Sequence, residues 1–156
     1  MERRITEEQV TKALLDWLEL NDWKIICFDF PQSGTGVSLH PNENIRIGKN
    51  KGAFIPDIVA TKNDTVVFFE NKDRFMLSDF VKIQELRQNN DYSSSIKKLL
   101  ASFKYSRIFY GVGLIYSNST EQKTNEHINK IDFAIFYHAN KLIQVFYDSN
   151  EIFNEQ

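Results

Sequence analysis

The chain has 156 residues, 42 % of them hydrophobic and 26 % charged, with a formal net charge of −2 and a single cysteine. This size and balance describe one globular domain spanning residues 1–156. They exclude a membrane-spanning helix, which needs ~20 consecutive apolar residues, and an internal disulfide or cysteine-rich zinc site. The first residues, Met1 to Glu8, lack the apolar stretch of a signal peptide, so cytoplasmic residence is the expectation.

Thr6 is a good N-cap and Gln9 completes a capping box, so the first helix starts there. Val10, Ala13, Leu14, Trp17 and Leu18 give it one apolar face, and Asn21-Asp22 ends it. Trp23–Phe30 reads as a strand rich in aromatic and β-branched residues. Residues 31–52 hold four glycines and two prolines among polar residues and read as a long loop, with a short strand at Asn44–Ile47. A loop of that length in a small domain is usually functional or mobile.

Asp57–Thr61 and Thr65–Lys72 follow as two short strands, joined by a tight turn at Asn63-Asp64. Ser78 or Asp79 caps a helix running to about Gln88. A second helix begins near Ser95, with Ile96, Leu99, Leu100 and Phe103 on one face. Arg107–Tyr116 is a strand interrupted by Gly111 and Gly113, and a short helix follows Thr120. Ile131–Tyr137 and Leu142–Tyr147 form a last hairpin turning at Ala139-Asn140. The order predicts an α/β fold, a mixed sheet flanked by helices.

Chemistry concentrates on the first hairpin. Pro56-Asp57 opens one strand, and Glu70-Asn71-Lys72 closes its neighbour. Side chains alternate along a strand, so Glu70 and Lys72 point one way and Asn71 the other. Hairpin pairing brings Asp57 beside them. Two carboxylates and an ammonium there make an oxygen-rich pocket suited to Mg2+, which prefers oxygen ligands and keeps several waters. Mn2+ is expected to substitute. Such an ion activates water for in-line displacement at a phosphoryl group, and Lys72 orients the water or balances the added charge. The apolar run Val66-Val67-Phe68-Phe69 fits a central strand ending in a buried charged cluster, where charges are rarely placed unless paired or metal-bound. Glu7 lies on the apolar side of the first helix, in line with Val10 and Leu14.

In these residues the chain resembles the PD-(D/E)xK nuclease superfamily, which includes many restriction endonucleases and the archaeal Holliday-junction resolvases. Similarity extends to the early Glu7, an aromatic-containing strand, and Ser33-Gly34-Thr35-Gly36 ahead of Pro56-Asp57-Ile58-Val59. It covers roughly residues 5–90. The resemblance implies a restriction-endonuclease-like mixed sheet, a divalent metal held by Asp57 and Glu70, Lys72 as the catalytic lysine, and Glu7 as an auxiliary acid. It implies hydrolysis of DNA phosphodiester bonds. The loop at residues 37–52 is longer than in the resolvases, which favours a small type II restriction endonuclease over a junction-type, structure-specific nuclease. A non-catalytic, nuclease-like DNA-binding subunit is the rival of another class. Double-strand cutting by so small a domain calls for two active sites, hence a homodimer of two-fold symmetry.

Net charge leaves DNA open as a partner, because such binding depends on local clusters. Arg46, Lys49 and Lys51 are the one compact basic stretch in a predicted loop and are candidates for phosphate contact, with a solvated loop as the alternative. Gly34 and Gly36 are a candidate DNA-contacting hinge or a plain connection. Without the Lys-Ser/Thr of a P-loop, no nucleotide cofactor is expected. His40, His127 and His138 show no metal spacing, and Cys27 reads as a small core residue.

Overall fold

The computed structural model describes residues 4–30, 34–42 and 52–153. Its frame is a six-stranded mixed sheet with helices on both faces. The strands, β1 (Lys24–Phe28), β2 (Ile58–Lys62), β3 (Thr65–Lys72), β4 (Arg107–Ile115), β5 (Phe133–Tyr137) and β6 (Ile143–Asp148), lie in chain order across it. β1, β2 and β3 pair antiparallel. β3, β4 and β5 pair parallel, and β6 returns antiparallel to β5. The two parallel joins need crossovers. Helices α2 (Leu77–Gln88) and α3 (Ser93–Leu99) make the first. The second is made by α4 (Asn118–Glu126) and the 3-10 turn Ile128–Lys130.

Helix α1 (Glu7–Leu20) begins on the expected capping box, with the Gln9 N–H donating to Thr6 Oγ1 and the Thr6 N–H donating to Gln9 Oε1. It lays Val10, Leu14 and Leu18 on the sheet face formed by Ile58, Ala60, Val67, Phe69, Phe133 and Ile135. The opposite face, with Val59, Val66, Phe68, Val112 and Leu114, is covered by Phe80, Ile83 and Leu86 of α2, by Leu100, and by the bridged pair Leu39 and Phe54. β3 is central and buried on both faces, which explains its continuous apolar run.

Several boundaries differ from the sequence reading. β1 stops at Phe28, two residues short. α3 starts at Ser93, and α4 starts at Asn118 on a Ser117 cap. α2 has Met76 at its N-cap, with no side-chain cap bond, so neither Ser78 nor Asp79 caps it. β4 runs unbroken through Gly111 and Gly113, because parallel strands pair on both its sides. The strand expected at Asn44–Ile47 lies outside the described residues.

Asp132 fastens α2 to the sheet. Its carboxylate accepts from the Tyr110 N–H at 2.9 Å and pairs with Arg87 Nε at 3.1 Å. Burial pushes this carboxyl up, while the Tyr110 N–H and the Arg87 guanidinium pull it down. Asp132→Ala leaves a buried N–H and a half-buried guanidinium without their acceptor. We expect a loss of about 3 kcal/mol, read as a fall in Tm of about 6–12 °C by calorimetry for a domain of this size.

Candidate active site at the end of the hairpin

The β2–β3 register sets the site. Ile58 pairs with Phe69, so Asp57 comes opposite Glu70. The Asp57 N–H donates to the Phe69 carbonyl at 3.0 Å, and Asp57 Oδ2 accepts from the Asn71 N–H at 2.7 Å. Asp57 is thereby tied to β3 through backbone and side chain together. As parity requires, Glu70 and Lys72 share the face that carries Val66 and Phe68, while Asn71 lies fully buried on the α1 face. Lys72 Nζ reaches Glu7 Oε1 at 3.4 Å, so the first turn of α1 is brought to the cluster.

A further acid arrives from α2. Asp79, in its first turn, faces Glu70 and Lys72 closely enough to shift both electrostatically. Its Oδ2 is buried and lacks a hydrogen-bond partner. Lys82, one turn further on, stands over the Phe54 ring at 4.3 Å and opposes the negative field at Glu70. From sequence alone Asp79 reads only as a possible cap, and Lys82 is not among the candidate residues. The available signal was their position, one and two turns into the helix that follows Glu70-Asn71-Lys72.

The charges do not balance. Among the described residues five carboxyl groups (Asp57, Glu70, Asp79, Glu7, Asp29) meet two ammonium groups (Lys72, Lys82). Burial raises the Asp57 carboxyl to about 7, over the opposing Asn71 hydrogen bond, with Glu7 adding to the rise. Glu70 is pushed up to about 9, first by burial and then by the charges of Asp57 and Asp79. Burial raises Asp79 as well, against the pull of Lys72. Burial works to lower the Lys72 ammonium, but the fields of Asp79, Glu7 and Glu70 outweigh it and its net shift is upward. The pocket therefore holds its protons too tightly at the carboxyls and has spare capacity for positive charge.

That excess fits a hard divalent cation. Among the described residues no three His, Cys, Asp or Glu side chains form a complete ligand set. Magnesium does not need one, since it is commonly held by one or two carboxylates and keeps several waters. Asp57 and Glu70 are the residues that would hold it.

The segment ahead of Pro56 borders the same corner. The Asp29 N–H donates to the Asp57 carbonyl at 2.8 Å, and Thr35 Oγ1 donates to the Phe28 carbonyl at 2.7 Å. Gly36 packs so closely that a Cβ would stand 2.6 Å from Asp29 Oδ1 and 2.8 Å from Ile55 Cγ2. Only glycine fits there, so Gly36 belongs to the packing beside Asp57. Gly34 adopts φ +69° in open space. Arg46, Lys49 and Lys51 lie outside the described residues. The histidines serve local packing: His127 stacks on Phe75, and His138 stacks on Tyr116 and bonds Gln144. His40 is bracketed through its backbone by Ser95. Cys27 is buried, and burial followed by the charge of Asp29 raises its thiol to about 11, which disfavours the reactive thiolate.

Fold and site together define an α/β protein with an acidic, lysine-containing cluster at the end of a central hairpin. No protein-family model matches the chain, and no curated protein matches it either. Among the described residues no helix is long and apolar enough to cross a membrane.

Proposed function

We propose that this protein is a magnesium-dependent endodeoxyribonuclease of the PD-(D/E)xK type, with a restriction-endonuclease-like core, working in the cytoplasm as a small type II restriction enzyme. The observation that carries the reading is the convergence of Asp57, Glu70 and Lys72 at one strand end, with both carboxyls desolvated beyond what the nearby ammonium groups offset. Asp57 and Glu70 would hold the divalent ion, which would supply positive charge and Lewis acidity at the scissile phosphoryl group. The chain's own residues do the rest. Lys72, whose side chain is 30 % exposed, presents its ammonium to the attacking water and to the developing charge on phosphorus. Glu7 holds that ammonium at 3.4 Å and the charge of Asp79 also attracts it. Water oxygen bonds to phosphorus and releases a proton to solvent, one ester P–O bond breaks, and the departing oxygen takes a proton from solvent.

Cations near the cluster suit the DNA backbone. Arg4 and Arg74 are exposed, both pair with Asp73, and Asp73 directly follows Lys72. Phosphate contacts of this kind position a protein on DNA without reading sequence. Two such sites are needed to cut both strands, and a two-fold homodimer supplies them.

Incubation of purified protein with supercoiled plasmid tests the reading. Cleavage is expected with Mg2+ or Mn2+ and none with excess chelator. Discrete fragments identify sequence-specific restriction, and cutting confined to branched substrates identifies the junction-type alternative. Intact plasmid and intact branched DNA under every metal condition would remove the proposal.

A further inference from the structure

Asn71 stands between the acid and the lysine of the cluster, yet its side chain is 0 % exposed on the other face of the sheet. Its Nδ2 donates to Thr11 Oγ1 at 3.1 Å, and Thr11 is itself 1 % exposed. Thr11 follows Glu7 by four residues, so both side chains leave α1 on one face. Asn71 and Lys72 are consecutive on β3. Two contacts therefore run between α1 and the end of β3. One is charged and half-exposed, Glu7 with Lys72; the other is neutral and buried, Thr11 with Asn71.

The neighbouring strand is shaped around this amide. Asn71 pairs in register with Gly113, where a Cβ would stand 2.5 Å from Asn71 Oδ1 and 2.3 Å from Leu14 Cδ1. A Cβ there would force both the Asn71 amide and the Leu14 side chain to shift. The Asn71 backbone N–H meanwhile holds Asp57 Oδ2. One residue thus touches a carboxylate of the cluster through its main chain and the helix bearing Glu7 through its side chain.

We propose that Asn71 is a positioning residue: bonded to Thr11, it seats α1 so that Glu7 meets the Lys72 ammonium. An apolar contact in its place would let the helix slide or turn on the sheet, whereas a buried amide–hydroxyl bond has one direction and one register. The Glu7–Lys72 contact is sensitive to such motion. At 3.4 Å it is already near the limit of a hydrogen bond, and a shift of about 1 Å ends it. The activity part of the test rests on the nuclease reading.

Thr11→Val keeps the shape and the β-branching of the side chain and removes the hydroxyl. Single-turnover cleavage of one DNA duplex with Mg2+ is compared for wild type, Thr11→Val, Glu7→Gln and the double variant, at a temperature where circular dichroism shows each folded. Misplacement predicts that Thr11→Val and Glu7→Gln each slow cleavage by roughly 10-fold with DNA affinity unchanged. The double variant should be no slower than either single one, and Thr11→Ser should recover most of the rate. Wild-type rate in folded Thr11→Val, or rate losses that multiply in the double variant, overturns the proposal. Should the wild type cut no DNA, thermal unfolding of the same four proteins decides instead. Glu7→Gln should then lower Tm by about 1–3 °C in wild type, as loss of an exposed ion pair does, and by nothing measurable beside Thr11→Val. An equal loss in both backgrounds refutes the positioning role independently of any nuclease activity.

Discussion

Lys72→Ala is expected to slow magnesium-dependent DNA cleavage by ~10²-fold or more, as other deletions of transition-state charge stabilisation do. The fold should survive. The side chain is partly exposed, its one hydrogen bond among the described residues is to Glu7 at 3.4 Å, and ion pairs of that exposure are worth ~1 kcal/mol or less. The chemistry loses more. Lys72 is the ammonium that faces Glu70, Asp79 and Glu7 together, and no other cation is placed by β3 itself. Removing it also removes a positive charge near the proposed metal ligands, so metal affinity should hold or improve while the rate falls. Metal titration and single-turnover cleavage on the same protein separate the two effects. Lys123→Ala, at an exposed position on α4, is the lysine control and should cleave normally. Wild-type cleavage by folded Lys72→Ala would remove Lys72 from the mechanism and, with it, the acid-x-Lys reading of the strand.

How far this site could be read in advance depended on which forces were local. The capping box at Thr6 and Gln9 is a short-range pattern, and α1 begins on it. Thr65–Lys72 is bounded by a turn whose Asn63 adopts φ 56°, and its alternation with β2 fixes the register, so Asp57, Glu70 and Lys72 meet as parity requires. Asp79 was illegible for the opposite reason. An acid near a helix start is favoured by the dipole and by capping alike, and sequence alone could not show that the helix begins at Leu77, with Asp79 facing Lys72. Asn71 was legible only in part: parity gives its face, but its bond to Thr11 and the space left by Gly113 join segments 60 and 42 residues away. The basic stretch at Arg46, Lys49 and Lys51 falls outside the described residues.

Freed of divalent ions, the protein should lose the stability contributed by its acidic pair as pH rises, and Mg2+ should restore it. The ordinary values of the Asp57 and Glu70 carboxyls are 3.8 and 4.5, whereas in the folded protein burial, with the charges of neighbouring carboxylates, holds their protons to about 7 and about 9. Between those limits the folded state binds more protons than the unfolded chain, so raising the pH favours unfolding. The pair's contribution is whole below about pH 4 and is gone above about pH 9. Protons and a divalent cation compete for the same oxygens, so stabilisation by Mg2+ must grow across that same window. At a concentration ~100 times its Kd the ion adds about 2.7 kcal/mol, a rise in Tm of about 5–10 °C for this size of domain. Scanning fluorimetry with and without Mg2+ should show that rise near pH 8.5 and almost none near pH 5. The Asp57→Asn/Glu70→Gln double variant should lack the metal response and show a flatter decline with pH in chelator, since the two groups that release protons are gone. A magnesium shift of equal size at both pH values, or one that persists in the double variant, would place the ion elsewhere on the molecule.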